Sequence, residues 1–295
     1  MSQALEKLQP EAAEPVFENI RVERTDRALG AEILGVDLTK PIDNRTFAEM
    51  HAAWLRYGVV FFREQDLTPQ QYIDFASRWG EIHLHPFMRG LDDHPEIFEI
   101  IKTEADTRNF GNRWHTDQMF CAEPAKATML FACEVPALGG DTVFTNLYAA
   151  YETLSDGMKA MLSGVRTRSN GNKSQGGKLR TERYAGPMAA KVAPPNEPII
   201  SEHPLIRTHP ETGRKALYIG SHAERFADMT DEESAPLMNY LMQHARRPEF
   251  TCRFKWRQGS IALWDNRCCQ HFAVNDYPGE RRRMHRITLK GDRPF

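Results

Sequence analysis

The feature that most constrains this fold is a pair of metal-ligand residue types whose natural partner lies far away in the chain. Trp114-His115-Thr116-Asp117-Gln118-Met119-Phe120 places an imidazole and a carboxylate two residues apart, and a further histidine, His271, follows Trp264-Asp265-Asn266-Arg267-Cys268-Cys269-Gln270. If the first segment is a β-strand, its period of two turns His115 and Asp117 to one face. His271 would complete a 2-His-1-carboxylate facial triad, which leaves three adjacent coordination positions open and suits a non-haem Fe(II) oxygenase. On its own His-x-Asp also fits an ordinary polar strand end, because eleven histidines and forty acidic residues make chance matches common.

The surrounding pattern predicts a β core decorated by helices. Phe17–Glu23, Gly30–Leu38 and the apolar run 58–62 read as strands, as do Ile97–Ile101, the His115 segment, Ala127–Phe131 and Thr142–Phe144. The C-terminal third adds Phe250–Trp256, Ser260–Trp264 and Arg283–Lys290. Asp43 can cap a helix with apolar positions Phe47, Met50, Trp54 and Leu55. Thr68, Pro69 and Gln71 form a strong helix start that Gly80 would end, and Thr230 with Glu233 opens another helix. A helical stretch is expected around Leu147–Leu162. No Gly-x-Gly-x-x-Gly follows a strand, which disfavours a doubly wound nucleotide fold. Residues 165–200 are rich in Gly, Pro, Asn and basic side chains, and read as a lid over a site or as a variable surface excursion.

Bulk properties narrow the partners. The 295 residues are enough for one large domain, taken here as 16–295 behind a polar, disordered tail over 1–15. A net charge of -2 gives no reason to invoke nucleic acid or an anionic membrane. No apolar run has the length of a membrane span, and the N-terminus lacks the layout of a secretory signal, so the expectation is cytoplasmic. Homo-oligomerisation stays open. Five cysteines without Cys-x-x-Cys spacing argue against a disulfide framework or a structural zinc site, and Cys268-Cys269 read as packing residues.

Arg282 and Arg286 share a face if their segment is a strand. Two inward guanidinium groups would be costly unless each met an anion. The alternative is a solvated basic edge, against which Met284, Ile287 and Leu289 punctuate the run.

His115-Thr116-Asp117, Gly139-Gly140-Asp141-Thr142, Trp264-Asp265-Asn266-Arg267 with His271, and Arg282 with Arg286 together resemble the taurine dioxygenase family. That family of 2-oxoglutarate-dependent Fe(II) enzymes includes 2,4-dichlorophenoxyacetate dioxygenase. The likeness runs from about Phe17 to the C-terminus. It implies a double-stranded β-helix (jelly-roll) core with flanking helices, Fe(II) held by His115, Asp117 and His271, and O2 and 2-oxoglutarate as cosubstrates. Thr142 matches a threonine that touches 2-oxoglutarate, and Arg282 an arginine that holds its far carboxylate. Arg286 matches an arginine that binds the substrate's sulfonate in the taurine-using member, and His85 a substrate-contacting histidine. Met88 stands where that member has a tyrosine, which tells against taurine and suits a more apolar body.

The implied reaction hydroxylates a C–H bond of a small organic anion, a sulfonate or aryloxyalkanoate-like carboxylate, giving succinate and CO2. Where the carbon bears a heteroatom, the product cleaves. Retention of Asp117 favours oxygenation over halogenation. The basic residues Lys173, Lys178, Arg180 and Arg183 add to the expectation of an anion. His83 and His285 should point away from the site, His94, His203, His209 and His244 should bind nothing, and Asn112 has no secure place. His222 is open between pocket and scaffold. The alternatives are a jelly-roll sensor that retains a metal without turnover, and a zinc-dependent hydrolase; neither gives Arg282 and Thr142 a purpose.

Overall fold

Residues 15–172, 186–193 and 195–295 are described by the computed structural model. In chain order the first half contains β1 (Arg21–Arg24), β2 (Ala31–Leu34), α1 (Asn44–Tyr57), β3 (Val59–Phe62), α2 (Pro69–Trp79), β4 (Phe98–Lys102), β5 (Ala127–Glu134) and β6 (Thr142–Asn146). Then come α3 (Leu147–Glu152), α4 (Asp156–Leu162), β7 (Arg166–Asn170), α5 (Gly186–Ala190), β8 (Ile200–Pro204), β9 (Ile206–Thr208), β10 (Lys215–Leu217) and β11 (Ala223–Phe226). The chain closes with α6 (Asp231–Ala245), β12 (Thr251–Phe254), β13 (Ile261–Asp265), β14 (Cys269–Ala273) and β15 (Arg282–Leu289).

A seven-stranded sheet, ordered β1-β2-β3-β13-β5-β15-β4, is the major layer, and β12-β6-β14 form a smaller one. All pairings in the major sheet are antiparallel except β2 with β3. Alternate residues of its central strands enter two different cores, as a period of two requires. Phe61, Leu130, Trp264 and Met284 pack with Phe144 and Phe254 of the smaller sheet. Val60, Phe62, Met129, Leu263 and Ile287 pack instead with Trp54 of α1 and Tyr72 and Phe75 of α2. Burying each such side chain is worth about 1.5–3 kcal/mol. The even-numbered residues Arg282 and Arg286 therefore share Met284's face, towards the smaller sheet.

The helix ends follow local chemistry. Asp43 accepts from the N–H groups of Arg45 and Thr46, and Gly58 closes α1 with φ 73°, a left-handed conformation that glycine adopts without a Cβ clash. Thr68 with Gln71, and Thr230 with Glu233, form reciprocal capping boxes.

Two expectations are corrected. The His115 segment is no strand: it makes one isolated bridge, His115 to His271, and then enters a turn in which Gln118 has φ 54°. The stretch 147–162 holds two helices, because Ser155 accepts from Met158 N–H and starts a new one. Within the region 165–200, β7 pairs with β8 and β11. Residues 1–14, 173–185 and 194 lie outside the described residues, and with them most of the expected tail and the cations Lys173, Lys178, Arg180 and Arg183. All five cysteines are free thiols. No helix among the described residues is long and apolar enough to cross a membrane.

Candidate metal and cosubstrate site

His271 sits on β14 of the smaller sheet, where it pairs with Phe144 of β6. The bridge binds it to His115 through two main-chain hydrogen bonds, His115 N to His271 O at 3.1 Å and His271 N to His115 O at 2.9 Å. The rings then lie 4.1 Å apart, centroid to centroid. The turn after His115 swings Asp117 back, so that Oδ1 is 3.6 Å from His115 Nε2 and Oδ2 is 3.9 Å from His271 Nε2. One potential ligand atom from each of the three buried residues falls within 4.8 Å of the others. A bridge and a turn, in place of strand alternation, bring the expected three together.

Their protonation suits a dication. His115 Nδ1 lies 2.7 Å from the Arg113 carbonyl, which can only accept, so Nδ1 carries the proton and Nε2 keeps its lone pair. Burial pulls the His115 pKa down to about 4, against the pull of Asp117. Burial and the neighbouring His115 push His271 well below its usual range. For Asp117, burial alone would raise the carboxyl, but Arg286, His271 and His115 hold it well below the usual carboxylate range. Two neutral imidazoles and one ionised carboxylate are the donor set that Fe(II) takes in such sites.

Asp117 is held by residues to which no role was given from sequence. The Thr128 hydroxyl donates to Oδ2 at 2.7 Å and accepts from Asn266 Nδ2 at 2.9 Å. Asn266 Oδ1 accepts from Asp117 N–H at 3.2 Å and from Trp264 Nε1 at 3.0 Å. A polar residue inside the buried run Ala127–Phe131 was the available signal for Thr128. Arg286 approaches from β15, with one terminal nitrogen 2.9 Å from Asp117 Oδ1.

Thr142 and Arg282 meet around Trp256. The Trp256 indole N–H donates to Thr142 Oγ1 at 3.0 Å, and the Arg282 guanidinium carbon is 5.8 Å from the Trp256 ring centroid. Arg282 is 4% exposed, and its Nε and one terminal nitrogen have no hydrogen-bond partner among the described residues. A buried cation with idle donors calls for an anion, and a carboxylate matches the guanidinium fork. The site thus fits both a divalent metal and a dicarboxylic cosubstrate.

Residues 21–288 match the family described as Taurine catabolism dioxygenase TauD, TfdA family. The chain belongs to that family. Among its TauD/TfdA relatives, an alkylsulfatase of Acinetobacter baylyi is 34% identical, with 93% of this chain and 86% of the relative covered. An alpha-ketoglutarate-dependent sulfate ester dioxygenase of Pseudomonas putida is 33% identical over 90% and 88%. The crystal structure of a taurine dioxygenase from Burkholderia xenovorans superposes with a TM-score of 0.77 at 39% identity, covering 94% of this chain and 91% of that one. AAD-2, crystallised with Mn(II) and N-oxalylglycine, gives a TM-score of 0.75 at 30% identity over 93% and 98%.

The remaining expected residues separate cleanly in this TauD/TfdA chain. His85, Met88 and Arg286 line one cavity of about 430 Å³, together with Phe98. His83 lines it too, which corrects the expectation that it points away; it follows an isolated bridge and is not in a strand, so alternation does not apply. His285 does turn away, lying 3.6 Å from Glu99. His222 stands beside the triad, its ring 6.3 Å from that of His115 and 4.9 Å from Phe120. His203 and His244 donate to the carbonyls of Cys121 and Ala150. His209 is bound to Asp265 at 2.9 Å. Asn112 is exposed.

Proposed function

We propose that this Fe(II)- and 2-oxoglutarate-dependent dioxygenase hydroxylates a C–H bond next to a heteroatom in a small organic anion with an apolar body, such as an alkyl sulfate, a sulfonate or an aryloxyalkanoate. The observation that carries this reading is the cavity of about 430 Å³ that sets Arg286 and His85 among Met88, Leu84 and Phe98, while Arg286 also touches the triad. An anion on Arg286 would be held close to the metal ligands, with its body against the apolar wall. The alkylsulfatase and sulfate ester dioxygenase relatives support the sulfate ester in particular.

His115, Asp117 and His271 would hold the metal, and Arg282 and Thr142 the far carboxylate of 2-oxoglutarate. With O2, the bound iron and keto acid supply the oxidising power that yields succinate, CO2 and a hydroxylated substrate carbon. The chain's own part is positioning. Thr128 and Asn266 fix the Asp117 carboxylate, and the Arg113 carbonyl fixes the His115 tautomer. Arg286 draws the substrate anion to the site and keeps it from drifting. If the hydroxylated carbon bears sulfate or aryloxide oxygen, the product collapses to a carbonyl compound and a leaving group.

The two facing sheets support a double-stranded β-helix core, with 16–295 as one catalytic domain. Near-neutral charge and free thiols support a cytoplasmic enzyme of small molecules, without nucleic acid or membrane partners. A sensor or a zinc hydrolase would leave Arg282 idle.

The test is succinate release by Fe(II)-loaded enzyme across alkyl sulfates, alkyl sulfonates and aryloxy acids. Substrate-dependent release with at least one class is expected, and background release with all three would refute the reading.

A further inference from the structure

Beside Arg282 lies a group of buried polar atoms that the reaction above leaves unused. Tyr277 is 2% exposed, and neither its hydroxyl nor Asn109 Oδ1 has an aligned hydrogen-bond partner among the described residues, as is true of two Arg282 nitrogens. Gly140 draws two of them together: a Cβ added there would stand 3.4 Å from both Arg282 Cδ and Tyr277 Cδ1. Burial lifts the Tyr277 hydroxyl above the usual tyrosine range, and the Arg282 charge opposes that lift.

Lys102 anchors the same place. It faces Arg282 in the β4–β15 register, is itself buried, and sets Nζ 4.5 Å from the Tyr277 ring centroid. Its ammonium donates to the carbonyls of Tyr277 and Glu280, each at 3.2 Å. The turn that carries Tyr277 is thereby clamped to β4. At the other end, Asn109 Nδ2 donates to the Val274 carbonyl at 2.9 Å, just beyond the strand that carries His271.

The idle groups are complementary. Arg282 can only donate, Asn109 Oδ1 can only accept, and the Tyr277 hydroxyl does both. We propose that Arg282, Tyr277 and Asn109 form a hydrogen-bond relay, clamped by Lys102, that fixes the guanidinium plane for the far carboxylate of the keto-acid cosubstrate. Tyr277 is then a positioning residue acting through Arg282, an assignment that rests on the reading of Arg282 as the 2-oxoglutarate anchor. The Tyr277 hydroxyl interacts with both the Asn109 side chain and the Arg282 guanidinium, and the relay satisfies groups that are otherwise costly to bury.

The experiment is anaerobic calorimetric titration of Fe(II)-loaded enzyme with 2-oxoglutarate and with 2-oxopentanoate, which lacks the far carboxylate. Y277F should weaken 2-oxoglutarate binding roughly 10-fold, the size of one hydrogen bond to a charged group. It should leave 2-oxopentanoate affinity and iron content unchanged. R282Q should lose more, and the double variant Y277F/R282Q no more than R282Q alone, since one residue works through the other. Equal 2-oxoglutarate affinity in Y277F, an equal loss with both keto acids, or additive losses in the double variant would each overturn the relay. If the wild type binds no 2-oxoglutarate, the anchor reading itself fails.

Discussion

Two clusters in this molecule look alike as lists of residues: His115, Asp117 and His271, and His209, Asp265 and Cys268 each gather potential ligand atoms within 4.8 Å, all buried. They differ in what their lone pairs are doing. Asp265 accepts from Arg267 N–H and Nε on Oδ1, and from an Arg267 terminal nitrogen and His209 Nε2 on Oδ2. That uses the four acceptor positions of a carboxylate. His209 Nδ1 meanwhile accepts from the N–H groups of Glu211 and Thr212, so its Nε2 must be the protonated nitrogen. Neither Asp265 nor His209 has a lone pair left for a cation, and a lone Cys268 sulfur does not make a site. In the triad, both Asp117 oxygens face histidine Nε2 atoms, and His115 Nε2 is bare because its Nδ1 is committed to a carbonyl. Proximity of residue types does not distinguish a metal centre from a structural knot; the hydrogen-bond state of each nitrogen and oxygen does.

The sharpest way to break this contrast is to delete a member of each cluster. H271A should drop turnover to background, since a bound metal contributes several kcal/mol to the transition state, and that is a loss of roughly 10³-fold. Its iron content, read after gel filtration, should fall with it, while the unfolding temperature moves by only a few degrees. D265A should do the reverse. It leaves the Arg267 guanidinium buried without its main partner, at a cost of about 3–5 kcal/mol. Thermal unfolding should come down by roughly 10 °C, with metal content per folded molecule unchanged. Iron loss in D265A, or a collapse of stability in H271A, would erase the distinction.

A smaller effect tests the support of Asp117. Replacing Thr128 with valine removes the hydroxyl from Oδ2 while keeping the shape of the side chain. Metal affinity, measured against a competing chelator, should fall roughly 10- to 100-fold, the usual consequence of losing an outer partner of a ligand. No change would mean that Arg286 and the turn suffice to orient the carboxylate.

The smallest effect concerns His203, a buried histidine that faces a carbonyl where His209 faces a carboxylate. Burial pulls its pKa to about 4 from the ordinary 6.5, with the Cys121 carbonyl opposing. The folded state therefore binds fewer protons than the unfolded chain between these values. Its contribution to stability is complete above 6.5 and is lost as pH falls towards 4. Denaturant melts should lose about 1 kcal/mol per pH unit for this one group, and H203Q should flatten the slope by that much. A slope unaltered in the variant would place the acid sensitivity elsewhere.

Much of this was legible from neighbours in the chain. The caps at Asp43, Thr68 and Thr230 need only groups within one helical turn, and the apolar runs of β3, β5 and β13 announce a buried sheet because both faces are covered. The three triad residues and Arg282 could be named because few residue types can perform that chemistry, and the family resemblance carried their order. How they meet could not be read. Strand alternation was the wrong reason for His115 and Asp117, since the bridge to His271 and the turn at Gln118 bring them together. The placement of His83 failed for the same cause.

The order of residues by itself determined a β-rich, helix-flanked chain and the chemical types at its metal site, because hydrogen-bond capacity, charge and periodicity belong to the residues. Only the tertiary structure decided which histidines keep a free lone pair, why Asp117 and not Asp265 is available, and that Thr128 and Asn266 stand behind it. Those outcomes depend on register between strands and on angles of a few hydrogen bonds, and no local pattern encodes which distant donor will arrive.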